Sequence, residues 1–308
     1  MVTVTPKQRS KKSSKTIVFA TLAVVALVVI AVLSKGTSSS SLLRQTSKPL
    51  ATAKTVQLSD TNNPQDTNKD PEISQKQQQH DECPYMSIHD LSEDERNPAK
   101  GERHMITPPR GGMIHLVCCQ TTQGPFNTLV HEQWAPNGAK RFLEMVTTGY
   151  FNSKFGVPLM RCVQGFLCQF GLNSEPQLSK RFKETIPDDA NWLPEGPKYR
   201  QNEEGVKRFA TGYMAYAGGG KHTRDMQLIV SLDNIPTLAG GSPWEVPWGE
   251  LVGQHSLDTF SKVYTGYGDN GPPQGDLWSR GITPADKEKF PKLDYVTGCA
   301  VVDQQIQE

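Results

Sequence analysis

A tight-turn dipeptide between two short apolar runs constrains this chain more than any other stretch. The runs cover residues 159–163 and 166–170, and Gln-Gly at 164–165 favours a turn that joins two antiparallel strands. One cation, Arg161, and one amide, Gln169, lie inside this apolar hairpin. Because a charge in an apolar run is costly unless it is paired or used, Arg161 is either directed to solvent between core neighbours or is a functional group.

Strands and a helix are indicated before the hairpin. Strands are predicted over residues 113–120 and 126–134. A helix is predicted over 136–149, because apolar residues recur at i, i+3, i+4 and i+7 from Ala139. A proline near its start and a glycine just past its end are typical of helix boundaries.

After the hairpin, a glycine-rich loop joins two further predicted strands, 213–217 and 226–231. Taken alone this is an ordinary loop hairpin, and the phosphate-binding pattern G-x-x-x-x-G-K-[ST] before a helix is absent from it. Further along, a short helix that ends at Gly266 is predicted, because Leu257, Phe260 and Tyr264 share one face.

These motifs, in this order, resemble the cyclophilin family of peptidyl-prolyl cis-trans isomerases. In that family a strand carries the active arginine, and the chain continues as G-F-x-x-Q-x-G. The matching residues here are Arg161, Gly165, Phe166, Gln169 and Gly171. The glycine-rich block resembles the family's small residue, threonine-containing loop and Q-x-F-I strand. Its matching residues are Ala217, Gly218, Thr223, Gln227 and Ile229.

The resemblance covers about residues 113–303 and implies a mainly-β fold. Within it, residues 248–252 resemble a strand of the family, and residues 290–296 would be the closing strand. The expected architecture is a closed antiparallel barrel of eight strands with two helices, an arrangement that removes sheet edges. The cyclophilin-like domain would occupy 83–308, with 83–110 as a polar lead-in packed on its surface. Residues 173–208 are expected to form a surface excursion, in which I-P-D-D at 186–189 resembles a motif of one cyclophilin subfamily.

The same resemblance implies the roles of the site residues. Arg161 would donate to the prolyl nitrogen as the imide bond twists, and Gln169 would hold a substrate carbonyl and help to orient Arg161. Phe166 is the third residue expected to act in catalysis. The residues expected to bind the proline ring and the peptide are Leu167, Ala217, Gly218, Gln227, Ile229 and Leu238. The reaction requires neither a cofactor nor a metal, and proline-containing polypeptides are the expected partners.

The chain departs from the family pattern around the proline pocket. Leu159 and Met160 replace an aromatic-His pair, and Ile229 stands where a Phe usually floors the pocket. Gly218 replaces an Asn, and Thr237 replaces a Trp associated with cyclosporin binding. These departures predict reduced activity, and they leave open a second class, a cyclophilin-fold module that binds proline peptides with little or no turnover.

The N-terminal region predicts a membrane anchor followed by a stem. The stretch from Thr16 to Leu33 carries no charge, and its eighteen residues reach about 27 Å as a helix, enough to cross a hydrocarbon core. We therefore expect a basic cytoplasmic tail at 1–15, a transmembrane signal-anchor at 16–34 and a disordered stem at 35–82. A cleaved signal peptide, which would yield a secreted protein, is the alternative.

The charge distribution narrows the classes of partner. The first fifteen residues hold five positive charges and no acid, whereas the formal net charge of the whole chain is only +1. The remainder is therefore slightly acidic, and no nucleic-acid partner is expected. With the anchor, this predicts a single-pass type II protein of the Golgi or endoplasmic reticulum with its domain in the lumen. A Golgi glycosyltransferase would share that layout, but the D-x-D metal motif it needs is absent.

Six cysteines in an oxidising compartment predict disulfides, and six allow fifteen connectivities. Cys162 and Cys168 are equidistant from the turn glycine, so we expect a cross-strand disulfide between them. Cys118 or Cys119 would pair with Cys299 if the first and last strands are neighbours. The alternative is that these residues are buried thiols.

Overall fold

The structure, a computed structural model, describes residues 83–96, 108–193, 209–235, 238 and 244–307. All of them belong to the compact unit Ile73–Glu308. The predicted basic tail, anchor and stem lie outside the described residues. Within the described ranges, no helix has the length and apolar character needed to cross a bilayer.

One nine-stranded antiparallel sheet forms the framework of the described residues. Its strands pair in the order β3-β9-β1-β2-β8-β6-β7-β5-β4. In chain order the strands are β1 (Met113–Thr121), β2 (Gly124–His131), β3 (Val157–Pro158), β4 (Arg161–Cys162), β5 (Leu167–Phe170), β6 (Tyr213–Tyr216), β7 (Leu228–Ser231), β8 (Gly249–Val252) and β9 (Tyr295–Ile306).

The prediction of a closed eight-stranded barrel is wrong, because the sheet has nine strands and is a half-barrel open between β3 and β4. These two edge strands are consecutive parts of one stretch of chain, separated only by Leu159 and Met160. Successive segments of one extended stretch cannot pair with each other, so no ladder closes the barrel. Pro158, which has no N–H to donate, also lies in the edge strand β3.

The prediction of two helices was too low, since the described residues contain six short α-helices. They are α1 (Glu93–Arg96), α2 (Pro136–Thr147), α3 (Pro176–Phe182), α4 (Gln254–Lys262), α5 (Gln274–Arg280) and α6 (Pro284–Lys289). The two predicted helices correspond to α2 and α4. Helix α4 ends at Lys262, short of the predicted end at Gly266, because Val263 adopts an extended backbone with ψ of 135°.

Two of the predicted strands have bounds that differ from the observed ones by three residues or more. Strand β2 ends at His131, because the chain then turns and the amide of Trp134 donates to the carbonyl of His131. The closing strand begins at Tyr295 and not at Phe290, because Phe290 caps the C-terminus of α6.

The excursion after β5 contributes to the core, which its polar composition did not predict. Phe182 and Ile186 are buried in the main hydrophobic cluster. Each apolar side chain removed from water stabilises the fold by roughly 1.5–3 kcal/mol. The main cluster lies on the inner face of the sheet under α2, where the ring of Phe142 stacks on Trp248 at a centroid distance of 4.2 Å.

All six cysteines are joined in disulfides in the structure. Strands β1 and β9 are neighbours, and Cys119 lies directly opposite Cys299, to which it is bonded. The adjacent Cys118 bonds Cys83 and so attaches the lead-in to the sheet. The remaining disulfide joins Cys162 to Cys168.

Candidate functional site

Four directly opposed residues form a row across strands β4, β5, β7 and β6. In this row Arg161 lies opposite Gln169, Gln169 opposite Ile229, and Ile229 opposite Ala215. Directly opposed residues of an antiparallel sheet share a face, and alternate residues along a strand share it too. The alternate face, which carries Cys168 and its neighbours, packs into the main core. The row therefore lies on the outer face of the half-barrel.

The predicted apolar residues of the proline pocket come together on this outer face. They belong to a cluster separate from the main core, which also contains Trp134 and Tyr213. Leu167 and Ile229 are only 4% and 2% exposed, so they form the floor beneath the surface. The accessible apolar surface comes from the half-buried members, which are Phe166, Ala217 and Leu238.

The hairpin that carries Arg161 closes through a tight turn. The amide of Val163 donates to the carbonyl of Leu167 at 2.8 Å, and the amide of Phe166 donates back to Val163 at 3.1 Å. Gly165 adopts a φ of +67°, a left-handed value that glycine reaches without steric cost. This turn places the guanidinium carbon of Arg161 5.8 Å from the centre of the Phe166 ring.

Arg161 has an ionic partner that the sequence did not indicate. Its Nε donates to Oδ1 of Asp269 at 2.6 Å, and its side chain is 25% exposed. Asp269 lies in a 3₁₀ turn at Gly268–Asn270, between α4 and α5. The terminal guanidinium nitrogens have no hydrogen-bond partner among the described residues.

Gln169 makes its side-chain hydrogen bonds with two other glutamines, and none of them is to Arg161. Its Nε2 donates to Oε1 of Gln227 at 3.2 Å and to Oε1 of Gln274 at 3.0 Å. Gln274 returns a hydrogen bond to Oε1 of Gln169 at 3.3 Å. The sequence analysis placed Gln227 in the site but missed Gln274, which is the first residue of α5.

The glycine-rich loop is covered by an indole that the sequence analysis did not anticipate. A Cβ atom at Gly218 would lie 2.4 Å from Cδ1 of Trp244, so only glycine fits beneath that ring. The Thr223 hydroxyl accepts from the amide of Gly219 at 2.9 Å and donates to the carbonyl of Gly220 at 2.7 Å. The loop is thus held by its own threonine.

A buried ionic network attaches this loop to the N-terminus of α2. Arg224 is fully buried and donates from Nη1 to Asp189 at 3.0 Å. The Asp189 carboxylate also accepts the amides of Asn137 and Gly138, at 2.8 and 2.9 Å. Since Ala135 at the N-cap has no side-chain oxygen, Asp189 supplies the cap from another part of the chain. This explains the I-P-D-D motif in structural terms.

Tyr216 joins the network from the core side. Burial raises the pKa of Tyr216 far above its ordinary value of 10.0, so the phenol stays neutral and can donate a hydrogen bond. The hydroxyl donates to the carbonyl of Gly138 at 3.1 Å, and the ring lies 5.7 Å from the guanidinium carbon of Arg224. The loop beside the site is therefore braced by a cation, a carboxylate and a phenol.

Comparison with known proteins identifies the family. The family model for cyclophilin-type peptidyl-prolyl cis-trans isomerases matches residues 116–277, just over half of the chain. The chain belongs to this family of isomerases. It is 28% identical over 126 residues to the peptidyl-prolyl cis-trans isomerase CYP18-2 of Arabidopsis thaliana, across 40% of this chain and 68% of that protein.

Solved cyclophilin structures also match the chain, over about 60% of its length. A Cryptosporidium parvum cyclophilin-type isomerase has 16% identity and a TM-score of 0.38, and the match covers 61% of this chain and 97% of that one. The same protein in the presence of the dipeptide Ala-Pro has 14% identity and a TM-score of 0.38, with 60% and 98% coverage. The cyclophilin AquaCyp293 from Hirschia baltica has 15% identity and a TM-score of 0.41, with 61% and 73% coverage.

Proposed function

We propose that the chain isomerises X-Pro bonds of secretory-pathway polypeptides at the outer-face row that contains Arg161. The observation that carries this proposal is the position of the Arg161 guanidinium. It lies beside the apolar cluster, and its Nε is held by Asp269 while its terminal N–H groups have no partner among the described residues. A fixed, unpaired donor next to an apolar surface is what a proline-directed isomerase requires.

The proposed mechanism is electrostatic stabilisation of the twisted imide. Resonance resists rotation of the C–N bond with a barrier of about 18–20 kcal/mol. Twisting breaks the conjugation and leaves a lone pair on the prolyl nitrogen, to which Arg161 donates. The twisted state is bound more tightly than either planar state, and this difference lowers the barrier. No bond to the enzyme forms and no proton is transferred in this mechanism.

The substrate is placed by the apolar cluster and the amides. The proline ring packs on Phe166 and Leu238 above the buried floor, and the peptide runs along Ala217 and Gly218 as an extended segment. Proline peptides are supported as ligands by family membership, and a related cyclophilin structure was determined in the presence of Ala-Pro. Gln169 meets a substrate carbonyl after it releases one of its two amide partners.

The secretory location is supported by the cysteines. Three disulfides join all six cysteines, and such bonds persist mainly in oxidising compartments. The uncharged stretch from Thr16 to Leu33 supports a membrane anchor with the isomerase domain in the lumen. Proline-containing secretory proteins are therefore the proposed clients.

A module that binds proline peptides without turnover is the second candidate. It is favoured by the amide of Gln169, because both of its N–H groups are donated within the protein. It is also favoured by Ile229, which leaves an aliphatic floor where the family uses an aromatic ring.

Exchange spectroscopy on an Ala-Pro test peptide separates the two candidates. Uncatalysed exchange takes tens to hundreds of seconds, so acceleration by the full-length chain is easily measured. Arg161→Ala should abolish the acceleration. Arg181→Ala is the matched control, because Arg181 is exposed and its ion pair, with Glu144, is 3.8 Å long. Peptide binding without acceleration by the wild-type chain would identify the module instead of the isomerase.

A further inference from the structure

We propose that Asp269 is a positioning residue that fixes the guanidinium of Arg161 for isomerisation. This inference rests on the proposed function of Arg161. It concerns a residue that no motif of the hairpin contains, since Asp269 follows Arg161 by 108 residues. The proposed role is to hold Nε so that the two terminal nitrogens face the peptide.

The contact has the geometry of a strong charge-assisted hydrogen bond. The Nε to Oδ1 distance is 2.6 Å, just below the usual range of about 2.7–2.9 Å for a cationic N–H that donates to a carboxylate. The Asp269 side chain is nevertheless 69% exposed, and exposed ion pairs contribute little to folding. The pair is therefore better explained by the orientation it gives to Arg161 than by stability.

The turn that carries Asp269 is held firmly against the hairpin. A Cβ atom at Gly271 would lie 2.4 Å from the carbonyl oxygen of Met160, so the two backbones are in direct contact one residue before Arg161. On the other side, Tyr267 packs edge-to-face on Tyr264 and Phe290, at centroid distances of 4.8 and 5.3 Å. Asp269 thus occupies a fixed place relative to the strand of Arg161.

Two contacts, with Asp269 and with Phe166, then fix the orientation of the Arg161 guanidinium. Asp269 holds it through Nε, and the Phe166 ring lies 5.8 Å from its central carbon. A guanidinium is planar, so fixing Nε also fixes the directions of the terminal N–H groups. A donor that is already oriented needs no reorganisation when the imide twists. The orientation of Arg161 therefore raises kcat and leaves the binding of the planar substrate unchanged.

The test compares Asp269→Ala, Asp269→Asn and Asp276→Ala in the full-length chain. The Asn variant keeps an acceptor oxygen, whereas the Ala variant removes it. Asp276 is a matched control, because it is an exposed acid on neighbouring α5 and its ion pair is with Arg280. We expect Asp269→Ala to lower kcat on the order of tenfold or more with KM unchanged, and the other two variants to remain near wild type.

A spectroscopic readout makes the test independent of activity. The ¹⁵N signal of Arg161 Nε–H is assigned by its loss in Arg161→Lys. It should broaden or shift in Asp269→Ala and persist in Asp269→Asn. If the wild-type chain does not accelerate exchange, the proposed function fails, and this signal still decides whether Asp269 fixes Arg161. An unchanged Nε–H signal or a wild-type kcat in Asp269→Ala would overturn the inference, as would an equal kcat loss in Asp276→Ala.

Discussion

Arg161 and Gln169 lie directly opposite each other on adjacent strands, yet their side chains have different partners. Arg161 donates to Asp269, and the amide of Gln169 donates to Gln227 and Gln274. Asp269 and Gln274 both come from the segment between α4 and the end of α5. That segment therefore controls the two polar groups at the centre of the candidate site.

Replacing Gln274 by Ala should improve substrate binding. The amide of Gln169 has two hydrogens, which go to Gln227 and Gln274, so a substrate carbonyl must displace one of these partners. Removing Gln274 frees one donor. Because a hydrogen bond is worth about 1 kcal/mol net, KM for a proline peptide should fall about fivefold.

The control for this experiment is Gln177→Ala, since Gln177 is exposed on α3 and its side chain bonds Glu175. Steady-state kinetics on both variants provide the comparison. A KM that rises in Gln274→Ala would mean that Gln274 organises Gln169 for the substrate and does not compete with it.

Replacing Gly218 by Ala should destabilise the glycine-rich loop, because the new Cβ would collide with Trp244. Overpacking of this kind costs about 1–3 kcal/mol in the free energy of unfolding. Gly219→Ala is the matched control, because no atom lies within 4 Å of a Cβ built there. Urea unfolding should show a loss for Gly218→Ala alone, and Trp244→Ala in the same chain should restore part of it. Equal effects at both glycines would contradict the close contact.

Replacing Asp189 by Ala should be among the most damaging single changes. It would leave Arg224 buried without its closest carboxylate and would remove the N-terminal cap of α2. Loss of one partner of a buried ion pair costs about 3–5 kcal/mol in the free energy of unfolding.

A second variant, Asp189→Ala combined with Arg224→Met, separates these two effects. The double variant removes the buried charge, so it should recover part of the stability measured by denaturant unfolding. No recovery would assign the whole loss to the missing cap and would contradict the role given to Arg224.

The disulfides should differ in their contribution to stability because they close loops of different length. The Cys119–Cys299 bond spans 180 residues, and the Cys162–Cys168 bond spans 6. Loop-closure entropy gives about 5 kcal/mol for the longer loop and about 2 kcal/mol for the shorter one. Paired Cys→Ala replacements at each disulfide should therefore reduce the unfolding free energy more for Cys119 and Cys299. The reverse order in denaturant titrations would refute this account.

The sequence predicted the local parts of the site well. Gln-Gly at 164–165 indicated the turn, and counting outward from Gly165 placed Cys162 opposite Cys168, as the structure has them. These features depend on near neighbours in the chain, which the order of residues determines.

The remaining parts depend on contacts between distant segments. Asp269 and Gln274 lie more than 100 residues from their partners, in a segment rich in glycine and proline that has no helical or strand period. The contact of Trp244 with Gly218 and the capping of α2 by Asp189 also join segments that are distant in the chain. The open half-barrel was missed because pairing at the sheet edges depends on where β3 and β4 change partners, which no local pattern marks.

The central claim is that a fixed, forked donor at position 161 stabilises the twisted imide. The most direct test is kcat for the Ala-Pro peptide with the wild-type chain, Arg161→Ala and Arg161→Lys. Lysine keeps the charge but lacks Nε–H and the planar fork that Asp269 holds. The account predicts that Arg161→Lys remains close to Arg161→Ala, at least about tenfold below wild type. A kcat near wild type for Arg161→Lys would show that positive charge alone is sufficient, and it would contradict the account.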